Sequence, residues 1–411
     1  MTNICVVVTN RASYARAKSI LSAIRSHPEL NLQLIVGAGL TLSGLNVVLA
    51  DGFKPAATVH SLIEGGTLAQ MPESTGLALL KLAPILESLD PDYLVTIADR
   101  YETLANAITG SYMNIPVAHV QGGERTGSID NKVRHAITQL ADIHFPATTK
   151  AGDLIQKMVG GVPDIRVTGC PSIDLAKAVR NSNPPPPNGS MSDKGSGADF
   201  HLDNDYVVVQ YHPVTTEYTY VQDDIAQLIE YVKALLPSSW QAVWMWPNID
   251  AGTNLISKAL RQLRDGYKPF DRRFRFYDNF EPEEFYRLLI HSRMLIGNSS
   301  VGIRECSYLG TPVIDIGSRQ TGRERASNVI HIDLPVVGAV RNQGNFCPPP
   351  TGLYYAYGSG RMPDHSQEYF KRAVEVHREQ RLYHTSSLYG EGDAGQKIAD
   401  HLALRDTGLA Q

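Results

Sequence analysis

Short, largely apolar runs alternate with stretches of helical spacing along most of this 411-residue chain, and that alternation limits the folds open to it more than any other feature. Residues 4–9, 32–37, 93–98, 115–120, 143–146 and 165–168 read as strands. Between them, residues 13–25, 75–89, 103–114, 131–141 and 150–159 return apolar side chains every three or four positions, as Ala17, Ile20, Leu21 and Ile24 do in the first. That period buries one face of a helix. Strands apolar on both faces need cover on both faces, which is the condition of a parallel sheet between two layers of helices. Residues 39–74 are poorly periodic and predict loop and short helix.

The alternation stops at residues 181–204, where four successive prolines precede a run of Gly, Ser, Asp and Lys. Such a composition has no packing pattern and predicts a flexible, exposed insertion. It then restarts, with strands predicted over 206–210, 242–246, 274–277, 294–297, 312–316 and 329–332 and helices over 224–236, 253–264, 283–292 and 301–309. Two further helices, 367–380 and 394–404, flank the turn Tyr389-Gly390-Glu391-Gly392. The fold class predicted is α/β, with two Rossmann-like, doubly wound domains over 1–172 and 173–382 facing a cleft, and a segment 383–411 whose helix packs back on the first domain.

Bulk properties narrow the function classes. An apolar share of 43% and a charged share of 19% are those of a globular protein. A net charge of −4 supplies no basic field, so no nucleic-acid partner is expected. The start, Met1-Thr2-Asn3-Ile4-Cys5, lacks the basic and apolar regions of a signal peptide, and no apolar run reaches the roughly 20 residues of a membrane span. Cys5, Cys170, Cys306 and Cys347 are scattered, without metal-ligand spacing, which suits a reducing cytoplasm. Cys306 reads as a small buried hydrophobe rather than a reactive thiol.

The richest chemistry lies in His119-Val120-Gln121-Gly122-Gly123-Glu124-Arg125-Thr126-Gly127-Ser128-Ile129-Asp130. It is a strand end, a tight polar turn and a helix start, and in an open parallel sheet such a turn lies at the carboxyl ends of the strands, where ligands bind. Asp130 stands where a helix N-terminus favours the ionised form, whereas Glu124 has no such bias, and carboxylates in unlike environments divide acid and base roles. An i,i+4 ion pair of Asp130 with Arg134 is the structural alternative. Asp99-Arg100 closes another strand, and Arg11 follows the first. In the second half, His212 follows a strand within Gln210-Tyr211-His212-Pro213. Gly297-Asn298-Ser299-Ser300 leads from a strand into a helix, where hydroxyls and free N–H groups suit a diphosphate or else simply cap the helix. Glu305 is one turn further on, placed to accept ribose hydroxyls, and Arg319 or Arg323 supplies positive charge for phosphate.

Taken in order, these stretches resemble the hydrolysing UDP-N-acetylglucosamine 2-epimerases. The likeness rests on Gly122-Gly123-Glu124-Arg125-Thr126-Gly127-Ser128-Ile129-Asp130 with Arg134-His135-Ala136-Ile137-Thr138, on Asp99-Arg100-Tyr101-Glu102, and on His212-Pro213-Val214-Thr215. It extends through Pro247-Asn248-Ile249-Asp250-Ala251-Gly252, Gly297-Asn298-Ser299-Ser300 and Gly317-Ser318-Arg319-Gln320, so that it spans residues 11 to about 330. The resemblance implies a GT-B-like fold, a UDP-sugar substrate, no metal or nicotinamide cofactor, and a homo-dimer or homo-tetramer. It also implies anti-elimination of UDP to a 2-acetamidoglucal followed by syn addition of water, giving N-acetylmannosamine and UDP on the sialic-acid route. Carried onto matching positions, Asp99, Glu124 and Asp130 are the acid/base carboxylates and His212 assists departure of UDP. Arg11, Ser299, Ser300 and Arg319 hold the diphosphate, and Glu305 the ribose.

The chain departs from the family pattern at Ala98, where many members have Gly, and at Gly37-Ala38-Gly39-Leu40, which lacks a histidine. Residues 39–74 look short, and 181–204 and 346–360 look like local elaborations. The first two departures fall on the sugar side, so a relative substrate, UDP-2,4-diacetamido-2,4,6-trideoxyglucose, stands beside UDP-N-acetylglucosamine. A non-hydrolysing epimerase, a GT-B glycosyltransferase and a nucleotide-sugar sensor are the competing readings. The Gly-Gly-Glu turn favours the hydrolysing branch, and neither a transferase nor a sensor needs the three carboxylates.

Overall fold

In the computed structural model, residues 1–64, 66–97, 99–186, 195–199, 204–266, 273–334 and 366–405 are described. The elements follow in the order β1 (Thr2–Val8), α1 (Arg11–Ser26), β2 (Leu30–Gly37), α2 (Leu40–Ser43), α3 (Leu45–Ala50), β3 (Ala57–Val59), α4 (Gln70–Leu89), β4 (Tyr93–Ile97), α5 (Tyr101–Tyr112) and β5 (Val117–Val120). Next come α6 (Asp130–Leu140), β6 (Ile143–Phe145), α7 (Thr149–Val159), β7 (Asp164–Ile165), α8 (Pro171–Asn181), β8 (Ser196–Gly197), β9 (Tyr206–Gln210), α9 (Val221–Leu235) and β10 (Gln241–Met245). The chain continues through α10 (Thr253–Asp265), β11 (Phe274–Tyr277), α11 (Pro282–His291), β12 (Met294–Gly297), α12 (Ser300–Ile303), α13 (Glu305–Leu309), β13 (Val313–Ile316), β14 (Val329–Ile332), α14 (Ser366–Glu379) and α15 (Ala394–Arg405). No described helix is long and apolar enough to cross a membrane.

The chain divides into two compact units, one of Met1–Glu124, Ile129–Lys177 and Tyr389–Gln411, the other of Arg125–Ser128 and Ala178–Leu388. The first is built on a parallel sheet of order β3-β2-β1-β4-β5-β6-β7. Its central strands are buried almost without exception, as in the pattern of Thr2–Val8 and Val117–Val120, because helices cover both faces. The strand order reverses between β1 and β4, and that reversal opens a crevice at the carboxyl ends of neighbouring strands. Asn10 fixes the start of α1 by accepting the Ser13 N–H at 2.9 Å, and Thr148 caps α7 through the Ala151 N–H at 3.1 Å. Helix α15 joins this unit's core through Ile398, Ala399 and Leu402. A Cβ on Gly395 would stand 2.6 Å from the Ser19 carbonyl carbon, so only glycine lets α15 lie this close to α1.

The second unit repeats the plan with a sheet of order β14-β13-β12-β9-β10-β11-β8, parallel except for β8 against β11. Here the reversal falls between β9 and β12. Two expectations change. Residues 181–204 are not wholly unpatterned, since α8 runs through Asn181 and Ser196–Gly197 pairs with Arg275 and Phe276. The pairing uses backbone groups, and Gly197 takes φ +101°, so no side-chain period announces it. The strand predicted over 165–168 is only Asp164–Ile165, at the edge of its sheet. Ala98, Cys347 and the segment 346–360 lie outside the described residues.

Candidate active site

In the first unit, Arg11, Asp99 and Glu124 all follow adjacent strands, β1, β4 and β5, at their carboxyl ends. Arg11 opens α1, and its side-chain stem runs beside Gly44 at the break between α2 and α3. Asp99 and Glu124 are 8% and 6% exposed, so their surroundings rather than bulk water govern their chemistry. Asp130 stands in the first turn of α6, as expected, and is half-buried.

The residue that organises this group is Arg134, on the next turn of α6. Its side chain is wholly buried and ion-pairs with the Asp99 carboxylate, while Nη1 donates to the Glu124 main-chain oxygen at 2.7 Å. His135 Nε2 lies 3.3 Å from the same oxygen. The guanidinium therefore fixes the end of β4 and the turn after β5 with one planar fork. That fork spans Asp99 and Glu124, two residues far from Arg134 in sequence. The turn itself is sterically committed. Gln121 and Gly123 have φ of +68° and +77°, and a Cβ on Gly123 would overlap the Ala151 carbonyl oxygen.

Residues Arg125–Ser128 belong to the second unit, where the Gly127 N–H donates to Arg319 O at 3.2 Å and Thr216 Oγ1 donates to Gly127 O at 3.1 Å. A Cβ on Gly127 would overlap the Ser318 carbonyl oxygen.

The remaining groups of this unit gather at the carboxyl ends of β9, β12 and β13. Asn298 joins them. Its side chain accepts the His212 N–H and donates to the His212 carbonyl, both at 2.8 Å. Its own main-chain oxygen accepts Gln320 Nε2 at 2.8 Å and Arg319 Nη1 at 3.3 Å. The Asn248 N–H donates to His212 Nδ1 at 3.2 Å, which leaves the proton of a neutral His212 ring on Nε2. Gly297, at φ +143°, lets β12 press on β9, since a Cβ there would overlap the Gln210 carbonyl.

Ser299 takes the N-cap position of α12 without making a side-chain capping bond, and Ser300 begins the helix. The helix predicted over 301–309 is divided in two at Arg304, which keeps right-handed helical dihedrals (φ −95°, ψ −69°) and whose side chain is 1% exposed. Glu305 therefore opens α13, 4% exposed, with Oε2 lacking a hydrogen-bond partner among the described residues. A buried carboxylate oxygen of this kind suits a ligand hydroxyl. Of the two cations weighed for phosphate, Arg323 is buried and donates to Gln320 Oε1, whereas Arg319 is half-buried. Cys306 is buried and burial pushes its thiol up, so it stays protonated and inert. No group of three or more His, Cys, Asp or Glu among the described residues is arranged as a metal site.

Sequence reasoning named no role for Asn298, Asn248 or Gln320, and for Arg134 only the pair with Asp130. All four lie inside motifs already singled out, but their contacts are tertiary and carry no local period.

Residues 22–339 match the protein-family model described as UDP-N-acetylglucosamine 2-epimerase. A UDP-N,N'-diacetylbacillosamine 2-epimerase (hydrolyzing) of Legionella pneumophila subsp. pneumophila is 28% identical over 376 residues, 90% of this chain and 95% of that protein. A UDP-N-acetylglucosamine 2-epimerase of Neisseria meningitidis serogroup B is 29% identical over 338 residues, 81% of this chain and 84% of its own length. Among solved structures, the UDP-GlcNAc 2-epimerase from Neisseria meningitidis bound to UDP-GlcNAc superposes with a TM-score of 0.73 at 15% identity, covering 98% of this chain and 99% of that one. That match shows a shared fold.

Proposed function

Because the chain belongs to the UDP-N-acetylglucosamine 2-epimerase family, we propose that it is a hydrolysing 2-epimerase, converting UDP-N-acetylglucosamine and water to N-acetylmannosamine and UDP. The observation that carries the reading is the grouping of Asp99 and Glu124 about one buried Arg134, with Asp130 a turn earlier on the same helix. The hydrolysing branch draws further support from the Legionella relative, whose name carries that activity and whose match runs along 90% of the chain.

The proton on C2 of the sugar is not next to a carbonyl and is not acidic, so departure of UDP leads the reaction. The bond from C1 to the phosphate oxygen breaks, positive charge gathers at C1 and the ring oxygen, and carboxylates stabilise it. A carboxylate then takes the C2 proton, leaving the 2-acetamidoglucal and UDP. In the second half, a proton returns to C2 on the opposite face while water adds its oxygen to C1 and gives its spare proton to a carboxylate. Asp99, Glu124 and Asp130 share these transfers. His212, with its proton on Nε2, donates to the departing phosphate. Arg11, Ser299, Ser300 and Arg319 hold the diphosphate and Glu305 the ribose hydroxyls, a role consistent with its unpartnered Oε2.

A second substrate is favoured by one observation. The Legionella relative, which covers more of this chain than the Neisseria one, is named for a diacetylated trideoxy sugar. Proton NMR in deuterated water tests both. Incubation with UDP-N-acetylglucosamine is expected to release UDP and N-acetylmannosamine carrying deuterium at C2. UDP-N-acetylmannosamine as product would overturn the hydrolysing assignment. Reaction only with UDP-2,4-diacetamido-2,4,6-trideoxyglucose would establish the second substrate.

A further inference from the structure

Beside the loop that carries Arg319 lies a charged cluster, built on one buried carboxylate, that the proposed chemistry does not use. Asp315 on β13 is 2% exposed. His331, its register partner on β14, donates Nδ1–H to Asp315 Oδ2 at 2.9 Å, and its Nε2 lies 3.1 Å from Asp333 Oδ1 just beyond the strand. A histidine that serves two carboxylates through both ring nitrogens is the imidazolium form. Arg325 Nη2 donates to the same Asp315 oxygen at 2.8 Å and to the main-chain oxygen of Gln320 at 3.3 Å. The charged groups facing the His331 ring are thus Asp315, Asp333 and Arg325.

Gln320 is gripped at three points. Arg325 holds its carbonyl, Arg323 holds its Oε1, and its Nε2 holds Asn298, the residue that brackets His212. Arg319 is its immediate neighbour and reaches the same Asn298 oxygen.

We propose that Asp315, His331 and Arg325 are positioning residues that set the loop 317–325, and with it Arg319 and Asn298, in the geometry that receives the nucleotide diphosphate. None of the three touches the nucleotide; they act through Gln320. The inference rests on the assignment of Arg319 and His212 to the nucleotide. A charged His331 holds Asp315 ionised, and ionised Asp315 anchors Arg325. Burial works against charge on both, but the mutual hydrogen bonds outweigh it, so Asp315 is held below the usual carboxylate range and His331 is raised to about 9. Loss of the His331 proton leaves one ring donor for two carboxylates and removes a positive charge from a site with two negative ones.

Isothermal titration of UDP against the wild-type protein and His331→Gln, from pH 7.5 to 10, tests this. Wild-type affinity is expected to exceed that of the variant by about tenfold at pH 7.5, the value of one hydrogen-bonded charge. The ratio is expected to fall toward one as pH passes 9, where wild-type His331 loses its charge. Ionisation of the uracil ring affects both proteins alike and cancels in the ratio. Equal affinities at pH 7.5, or a ratio that does not change with pH, would overturn the inference, the latter because loss of packing alone has no pH dependence. Arg325→Met, which removes both bonds made by Nη2, is the companion variant should His331→Gln fail to fold, and unchanged UDP affinity in it would also overturn the inference. Wild-type protein that binds no UDP would sink the assignment of the nucleotide groups; wild-type binding with unaffected variants would sink only the positioning role.

Discussion

Arg134 and Asp99 form a buried ion pair whose guanidinium also carries the main-chain oxygen of Glu124, 2.7 Å from Nη1. Lysine brings one compact ammonium and cannot span both acceptors. Arg134→Lys is expected to lower kcat by about 10²-fold or more through loosened placement of Asp99 and Glu124, with the UDP dissociation constant within about twofold of wild type. Arg134→Met takes the guanidinium away from the buried Asp99 carboxylate and should cost about 3–5 kcal/mol in unfolding free energy. Steady-state rates, calorimetric UDP titration and urea melts check the pair; a fully active Arg134→Lys would remove Arg134 from the machinery.

Glu124→Gln and Asp130→Asn keep shape and hydrogen bonding but cannot exchange protons. Each is expected to cut turnover by about 10³-fold or more while UDP still binds, because the groups assigned to the nucleotide lie elsewhere in the chain. Product release followed by NMR, beside titration with UDP, separates the two effects. If both variants lost UDP binding, their assignment to proton transfer would fail.

Two glycines with positive φ should respond very differently to alanine. Gly123 (φ +77°) lies against the Ala151 carbonyl, while Gly161 (φ +57°) has nothing within 4 Å of the added carbon. Gly161→Ala pays only the left-handed backbone penalty, about 1 kcal/mol. Gly123→Ala adds a backbone overlap in a packed turn and is expected to cost about 3 kcal/mol or more, with activity lost because Glu124 is the next residue. Denaturant melts of the two variants, run side by side, give the comparison.

The sheet was readable because buried parallel strands leave continuous apolar runs; β14 falls at the predicted residues 329–332, and the runs ending near Ile97 and Val120 place Asp99 and Glu124 correctly at strand ends. Where backbone bonding or tertiary burial decided the outcome, the pattern was silent. Ser196–Gly197 pairs with the β11 backbone and with the Arg275 side chain, which donates to Gly197 O at 3.3 Å, and the 301–309 helix is divided at the buried Arg304. The site was readable as motifs but not as a network. Asn298 and Arg134 act by bridging residues tens of positions away, and no spacing along one segment encodes such a bridge.

Acid should weaken the first unit through one histidine. Both ring nitrogens of His144, on β6, are buried without a hydrogen-bond partner among the described residues, and burial lowers its pKa to about 4 against the smaller opposing pull of Asp164 and Asp142. In the unfolded chain it titrates near 6.5, so between pH 6.5 and 4 the unfolded state binds the proton and the folded state does not. Stability therefore falls as pH drops through that window, by up to about 3 kcal/mol from this residue. His331 has the opposite sign: its raised pKa, about 9, contributes stability that is complete below 6.5 and lost as pH climbs through 9. His144→Phe removes a buried ring that satisfies neither nitrogen, so it is expected to be close to neutral at pH 7.5 and more stable than wild type at pH 4.5. Urea midpoints of the two proteins across pH 4.5–7.5 should converge on the alkaline side and separate on the acid side. Parallel curves would mean that His144 takes up its proton without penalty, and that the acid sensitivity of this unit has another source.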